Sequence, residues 1–214
     1  MLITEKLFLY SIDEKSKKNE LKNLSILLAG AILYDLELNG IISIQPAENL
    51  IIGPLVHLLE TKKTGNIILE AAINEIISRK RNFPVPYWLS KFRSKKFRKF
   101  IIESLSDAQY IHPLGKKFDI LKPVIRDEIN NKLINSLLKD HEPDNEFRLF
   151  LMLSCLRSVN WKLLPSEIDY RDEMIKERLE NYQEMMVKDK IGFYIGMQVP
   201  KTTYRIGGSI TYRF

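Results

Sequence analysis

The sequence predicts a mainly α-helical protein, a compact single-domain helical bundle with a central buried helix and small β-hairpins. The stretch Leu24–Leu38 is apolar around most of its circumference, as a helix inside a domain is. Several further stretches repeat apolar residues every three or four positions, the spacing of amphipathic helices. No linker rich in Pro, Gly or Ser interrupts the 214 residues, so residues 1–214 are predicted to form one domain.

The central helix has a predicted end and a predicted packing partner. Residues 39–40 are Asn-Gly, and glycine just past the last helical residue is a common helix terminator. Residues 29–31, Ala-Gly-Ala, leave room in the middle of this helix for another helix to approach closely. Residues 41–44 and 50–52 flank a proline-containing turn and predict the two strands of a small hairpin.

Residues 64–105 predict two further helices separated by a proline loop. The first follows the Thr-Gly pair at 64–65 and has apolar residues at amphipathic spacing. Pro84 and Pro86 interrupt the helical pattern, because proline lacks an N–H donor. The second helix is predicted as one continuous segment over about residues 89–105. Its apolar stripe consists of Phe92, Phe97, Ile101 and Leu105.

The C-terminal half predicts two hairpins with three helices between them. Residues 110–120 are predicted to form a hairpin that turns at a glycine. Helices are predicted over about residues 123–138, 144–156 and 166–186. The tail, residues 191–214, is predicted to be β-rich and to contain a C-terminal β-hairpin around a Gly-Gly pair.

Basic residues are concentrated in one stretch that contains no Asp or Glu. The whole chain carries a formal charge of +6, whereas residues 76–102 contain nine bases and alone carry +9. A patch of this kind attracts phosphate-bearing partners. It has three interpretations: an anionic membrane surface, a nucleic-acid site, or a solvated helix face without a ligand. The nine bases are Arg79, Lys80, Arg81, Lys91, Arg93, Lys95, Lys96, Arg98 and Lys99.

No pattern in the sequence indicates an enzyme. The histidines, His57, His112 and His141, have no further His or Cys at metal-ligand spacing, and His57 is interpreted as a helical residue. No glycine-rich phosphate loop, nucleophile elbow or Walker-type lysine occurs. The acidic cluster at residues 169–173 is interleaved with basic residues, as on a solvated helix face. We therefore expect no catalytic residue, no metal and no cofactor.

The N-terminus and the hydropathy of the chain predict a cytoplasmic protein. Its first residues include Glu5 and Lys6 and lack the apolar block of a signal peptide. No window has the roughly 18 apolar residues that a membrane span requires. The single cysteine, Cys155, lies in an apolar run and fits a buried thiol in a reducing compartment. Any membrane contact is then expected to be peripheral, at a cytoplasmic face.

Four segments match, in order and spacing, the motifs of one protein family. They are residues 7–15 (LFLYSIDEK), 28–42 (LAGAILYDLELNGII), 64–73 (TGNIILEAAI) and 147–156 (FRLFLMLSCL). On these residues the chain resembles the Golgi phosphoprotein 3 family over about residues 5–188. The resemblance implies a compact helical core with a small β-hairpin. It also implies a peripheral membrane protein with a basic pocket for phosphatidylinositol 4-phosphate.

The resemblance places a lipid head-group site on the basic stretch. Two pocket arginines of the family fall on Lys95 and Arg98, counted back from a Glu-x-Gly motif that is Asp-Ala-Gln at residues 107–109 here. These two bases are three residues apart, hence on one helix face. The family's third pocket arginine falls on Ala29 and its pocket tryptophan falls near Glu20, so both are missing. The neighbouring bases assigned to the same site are Lys91, Arg93 and Lys99.

The resemblance also implies a hairpin that inserts into the bilayer or joins protomers into a homo-oligomer. It falls on residues 114–122, where Leu114, Phe118 and Ile120 would be the apolar tip. The predicted function is therefore docking to anionic lipid, with phosphoinositide-type head groups implied by the resemblance. Two alternatives stay open: a helical protein-interaction scaffold without lipid specificity, and a nucleic-acid-binding protein that uses the basic stretch at residues 79–99.

Overall fold

The computed structural model describes residues 1–21, 23–46, 53–139, 142–154, 165, 168 and 172–198. Most of these residues are helical and the sheets are small and antiparallel, so the mainly α class is confirmed. In chain order the elements are α1 (Ile3–Tyr10), α2 (Leu24–Leu38), β1 (Ile42–Gln45), β2 (Leu55–Leu58), α3 (Ile67–Ile77), β3 (Phe83–Pro84), α4 (Val85–Phe92), α5 (Lys95–Asp107), β4 (Ile111–Leu114), β5 (Lys117–Ile120), α6 (Pro123–Leu138), α7 (Asn145–Ser154), α8 (Glu173–Lys188) and α9 (Gly192–Gln198).

Helix α2 lies in the core. Twelve of its 15 residues are buried, and it contacts α1, α3, α4, α7 and α9. The close approach predicted from its small residues occurs at Gly30, where a Cβ would lie only 2.1 Å from Cδ1 of Ile195 on α9. Helix α2 is apolar on all sides, and it is accordingly packed against several other helices.

Helix α1 is fixed to α2 by one buried carboxylate. The backbone N–H groups of Ile3 and Thr4 donate to Asp35 at 2.8 and 3.0 Å, and the Thr4 hydroxyl donates to it at 2.6 Å. Asp35 therefore satisfies N–H groups at the start of α1 that have no partner within the helix. These three hydrogen bonds position α1. The Phe8 ring of α1 lies against the guanidinium of Arg98 in the basic stretch.

The three-stranded sheet has the order β1-β2-β3 and is antiparallel throughout. The strand paired with β1 is β2, with Ile42 opposite Leu58, whereas the predicted strand at residues 50–52 lies outside the described residues. His57 consequently lies on a strand and not on a helix, which corrects the sequence-based interpretation. Backbone pairing with β1 fixes this extended conformation, and the His57 ring is hydrogen-bonded to the Asn82 amide at 2.8 Å.

The helix predicted over residues 89–105 is two helices, α4 and α5. Ser94 interrupts it as the N-cap of α5, with an extended backbone at ψ 157°. The apolar stripe continues across the break, because Phe92 and Phe97 are both buried and their rings meet edge to face. Helix α4 begins earlier than predicted, since Pro86 lies in its first turn, where a missing N–H removes no helical hydrogen bond.

The start of the C-terminal tail is helical, so the prediction of a β-rich segment from residue 191 onward is wrong for α9. Asp189 caps this helix by accepting hydrogen bonds from the N–H groups of Ile191 and Gly192, at 2.9 and 2.8 Å. Ile195 then packs against Gly30 of α2. The predicted C-terminal hairpin around residues 207–208, like Cys155, His141 and the predicted helix start at residue 166, lies outside the described residues.

Candidate functional site

A cavity of about 130 Å³ lies between α2, α4 and α5, where α5 begins. Three basic residues line it: Arg93, Lys95 and Arg98. Two hydroxyl-bearing residues, Ser25 and Ser94, and three apolar residues complete the lining. No carboxylate is among the described residues of this lining, so nothing there neutralises the three cations.

The N-terminus of α5 adds to the positive potential of the cavity. The first N–H groups of a helix have no intrahelical acceptor, and the helix dipole places partial positive charge there. In α5 the side chain of the N-cap residue, Ser94, makes no capping hydrogen bond, and the first turn contains no acidic residue. Lys95, the first residue of the helix, therefore stands at an end that favours an anion.

Arg98 is half-buried and held from two sides. Its Nη2 donates to Oδ1 of Asn19 at 2.7 Å, and its guanidinium lies over the Phe8 ring, 5.6 Å from the ring centroid. Asn19 in turn donates from Nδ2 to the hydroxyl of buried Ser11 at 2.6 Å. Burial lowers the pKa of Arg98 below its ordinary value, but guanidinium groups stay charged at neutral pH. The result is a fixed cation at the edge of the cavity.

The structure divides the five predicted head-group residues into two sets. Lys95 and Arg98 line the same cavity, as their spacing predicted, and Arg93 joins them. Lys91 instead contacts an aromatic ring on α4, and Lys99 is exposed on α5 without lining the cavity. The site therefore includes three of the nine basic residues of the stretch, namely Arg93, Lys95 and Arg98.

The two positions at which the family's pocket residues are missing are filled differently here. Ala29 is fully buried within α2, and the residues of α2 that line the cavity are Ser25, one turn earlier, and Leu28. In the loop before α2, Glu20 is exposed, and the neighbouring Asn19 contacts the site through Arg98. Asn19 lies 79 residues from Arg98 in sequence, so no local pattern could have identified it.

The β4–β5 hairpin separates the three residues predicted as its apolar tip. Leu114 is 47% exposed and precedes the turn at Gly115. Phe118, in contrast, is buried edge to face against Phe8, with ring centroids 5.3 Å apart, and Ile120 is half-buried. The prediction that Phe118 belongs to an exposed tip is corrected, since that side chain attaches the hairpin to α1.

A larger cavity of about 400 Å³ lies between α3 and α5 and has a different character. Glu70 and Glu75 line it together with Lys96, so its charge does not favour an anion. In the part of the chain that the structure describes, no group of three or more His, Cys, Asp or Glu side chains could hold a metal ion. Within the same residues, no helix is both long and apolar enough to cross a bilayer.

The chain as a whole matches one protein family. The sequence model of the Golgi phosphoprotein 3 (GPP34) family matches residues 3–191, which include every residue that lines the 130 Å³ cavity. This is most of the chain, so the protein belongs to the GPP34 family, as its sequence motifs predicted. No curated protein sequence matches the chain significantly.

Proposed function

We propose that this protein is a peripheral membrane-binding domain and that the phosphate of an anionic lipid head group occupies the cavity between α2, α4 and α5. The observation that carries the proposal is the convergence of Arg93, Lys95 and Arg98 on one cavity that has no carboxylate among its described lining residues. Charge-assisted hydrogen bonds from such side chains and the end of a helix both favour phosphate. Membership in the GPP34 family is consistent with membrane or lipid binding.

The proposed ligand is a phosphomonoester head group, as phosphoinositides have. A phosphomonoester carries between one and two negative charges at neutral pH, whereas a phosphodiester carries one. Three cations around a cavity of about 130 Å³ match the greater charge better. The pre-positioned guanidinium of Arg98 favours a phosphate oxygen in a defined place, since arginine binds phosphate with a rigid planar fork.

The arrangement of aromatic residues supports a membrane over a nucleic acid. Binding of single-stranded nucleic acid requires aromatic rings with free faces on which bases stack. Phe92 and Phe97, which alternate with the bases of the stretch, are each only 2% exposed and pack in the core. These two rings therefore offer no stacking platform to a single-stranded nucleic acid.

The β4–β5 hairpin is the proposed second contact, either with the bilayer or with another copy of the chain in a homo-oligomer. Leu114, Leu121 and Val124 are 47%, 52% and 61% exposed at and just after the hairpin. Lys116, Lys117 and Lys122 are exposed in the same segment. Apolar side chains flanked by lysines suit the interfacial layer of an anionic membrane.

Vesicle flotation tests the head-group site. Vesicles of phosphatidylcholine alone, with phosphatidylserine, or with phosphatidylinositol 4-phosphate at matched charge are compared. The wild type is expected to prefer the phosphoinositide vesicles, and Lys95→Gln/Arg98→Gln is expected to abolish that preference. The matched control is Lys139→Gln/Lys188→Gln, which removes two charges from exposed lysines elsewhere and should retain it.

Three results would count against the proposal. Failure of the wild type to float with any acidic vesicle at low salt would overturn membrane binding. Equal binding to both acidic vesicles would remove the head-group site and leave charge alone. A shift of labelled oligonucleotide that is lost in Lys95→Gln/Arg98→Gln would assign the site to nucleic acid. Thermal melts of each variant establish that it is folded.

A further inference from the structure

A second group of basic and aromatic residues lies outside the cavity, around the start of α4. The rings of Phe83 and Tyr87 are stacked, with centroids 4.1 Å apart and planes 22° from parallel. Both side chains are half-buried. Cations cover the rings, because Arg81 lies 5.1 Å from the Phe83 centroid, and Arg79 and Lys91 lie 5.8 and 5.7 Å from the Tyr87 centroid. These five residues, together with the adjacent exposed Lys80, are here called the aromatic–basic patch.

The charge of this patch is largely uncompensated. Arg79 is paired with Glu75 at 3.0 Å. Among the described residues, Arg81 and Lys91 have no carboxylate within ion-pair distance, and neither does the adjacent exposed Lys80. A surface with several cations and few counter-charges attracts an extended anionic partner.

The ring geometry indicates which anionic partner fits. One face of Tyr87 is stacked on Phe83, and cations lie over this ring pair, so no free face is available for a nucleic-acid base. The Tyr87 hydroxyl makes no hydrogen bond to any described residue. Tyr87 combines an apolar ring with a polar hydroxyl, and cations surround it. This combination is typical of the head-group layer of a membrane.

We propose that the aromatic–basic patch is a further contact with the anionic bilayer, separate from the cavity and from the β4–β5 hairpin, and that it responds to surface charge and not to a particular head group. The proposal rests on membrane binding as proposed above, but it assigns a different surface and a different selectivity. In this arrangement Arg81, Lys91 and Lys80 meet lipid phosphates, while Tyr87 lies at the depth of the head groups. The cavity at the start of α5 then selects among lipids on a surface that the patch has already engaged.

A charge-removing variant of the patch, compared with a matched control and with the cavity variant Lys95→Gln/Arg98→Gln, separates the patch from the cavity. Lys80→Gln/Arg81→Gln changes two exposed residues, and Lys139→Gln/Lys188→Gln is the matched control. Each base near an acidic surface contributes about 1 kcal/mol, so the patch variant is expected to lower binding about 25-fold. The loss should be the same for phosphatidylserine and phosphatidylinositol 4-phosphate vesicles, with the preference between them unchanged.

The outcomes distinguish the two proposals. Binding of Lys80→Gln/Arg81→Gln equal to that of the control would overturn the patch while leaving the head-group site standing. A loss of binding in the patch variant, with no effect of Lys95→Gln/Arg98→Gln, would overturn the head-group site and retain the patch. A wild type that binds no acidic vesicle would overturn both.

An environment-sensitive dye provides a test that does not depend on charge. In a Cys155→Ser background, Ser90→Cys places a label on the exposed side of α4, three residues after Tyr87 and thus on the same face. Acidic vesicles are expected to shift its emission to the blue and increase it, whereas a label at Lys139→Cys should not respond. An aqueous spectrum at position 90 on bound vesicles would overturn the proposal.

Discussion

Gln109 occupies a backbone conformation that suits glycine. Its φ is +56°, directly after the C-cap residue of α5, and its side chain is exposed. The N–H of Gln109 donates to Ser106 O at 2.9 Å and that of Tyr110 to Leu105 O at 2.8 Å, the two bonds of a Schellman motif. Residues 107–109 resemble a Glu-x-Gly motif, which has glycine where this chain has Gln109.

Gln109→Gly is therefore expected to raise the free energy of unfolding by about 0.5–1 kcal/mol, because glycine has no Cβ to strain the left-handed conformation. Denaturant unfolding measures the change. Gln109→Ala is the control, since it retains the Cβ and should gain nothing. An equal gain in both variants would show that the glutamine side chain, not the backbone, carries the cost.

Asp35 gives the fold a defined dependence on pH. Burial raises the pKa of Asp35 to about 7, against the opposing hydrogen bonds from Thr4 and Ile3 and with a smaller contribution from the nearby negative charge of Glu5. The folded state therefore binds a proton that the unfolded chain, with its ordinary carboxyl pKa, has already lost. The stabilising contribution is complete below pH 4 and disappears as the pH rises through 7.

The free energy of unfolding is expected to fall by roughly 2–3 kcal/mol between pH 5 and pH 8 on account of Asp35. Urea titrations at both pH values measure this decrease. In Asp35→Asn the group that titrates is absent, so that portion of the pH dependence should vanish although the variant is less stable overall. An unchanged pH dependence in Asp35→Asn would refute the assignment.

At the scale of elements, the attachment of α9 to α2 depends on a single missing methyl group. Gly30→Ala would place a Cβ 2.1 Å from Cδ1 and 3.1 Å from Cγ1 of Ile195. We expect the variant to lose about 1–3 kcal/mol of unfolding free energy, the usual cost of overpacking a core.

The matched background is Ile195→Val, which removes the colliding Cδ1. In that background Gly30→Ala should cost clearly less, and a double-mutant cycle measures the difference as a coupling energy. Additive effects of the two substitutions would mean that the contact between α2 and α9 is not where the cost arises.

The elements also show how far periodicity predicts this fold. Helix α6 spans Pro123–Leu138 as predicted, and Asp144 caps α7 through a 2.7 Å bond from the Phe147 N–H, because both starts have local signals. The break at Ser94 was missed because the apolar stripe continues through it. A serine between two basic residues is a weak local signal for a helix start. The N-terminus of α5, which forms part of the candidate site, nevertheless begins after this serine.

At the scale of the whole molecule, the charge is divided between one basic region and a net negative remainder. The nine bases between residues 76 and 102 exceed the net charge of the entire chain. Such an asymmetry orients the molecule in the field of an anionic surface before any contact forms. The basic residues of the cavity and of the aromatic–basic patch all come from this one stretch of the sequence.

Membrane binding is accordingly expected to weaken roughly tenfold or more when NaCl is raised from about 50 to about 300 mM, because salt screens exposed charges. Vesicle co-sedimentation across this range measures the dependence. Leu114→Ala should lower binding by a factor that salt does not alter, since its contribution is apolar. Salt-independent binding of the wild type would contradict an electrostatic mechanism.

The sequence by itself determined the helical class, the family, the uncompensated basic stretch and the pairing of Lys95 with Arg98, because periodicity, motif spacing and charge are local properties of the chain. Only the tertiary structure decided that Asn19 holds Arg98, that Phe118 is buried against Phe8, and that α9 packs on Gly30. These contacts join residues between 79 and 165 positions apart, and the free energy that selects them comes from packing and burial. In the folded protein, three cations of the basic stretch line a cavity, and others belong to the separate aromatic–basic patch.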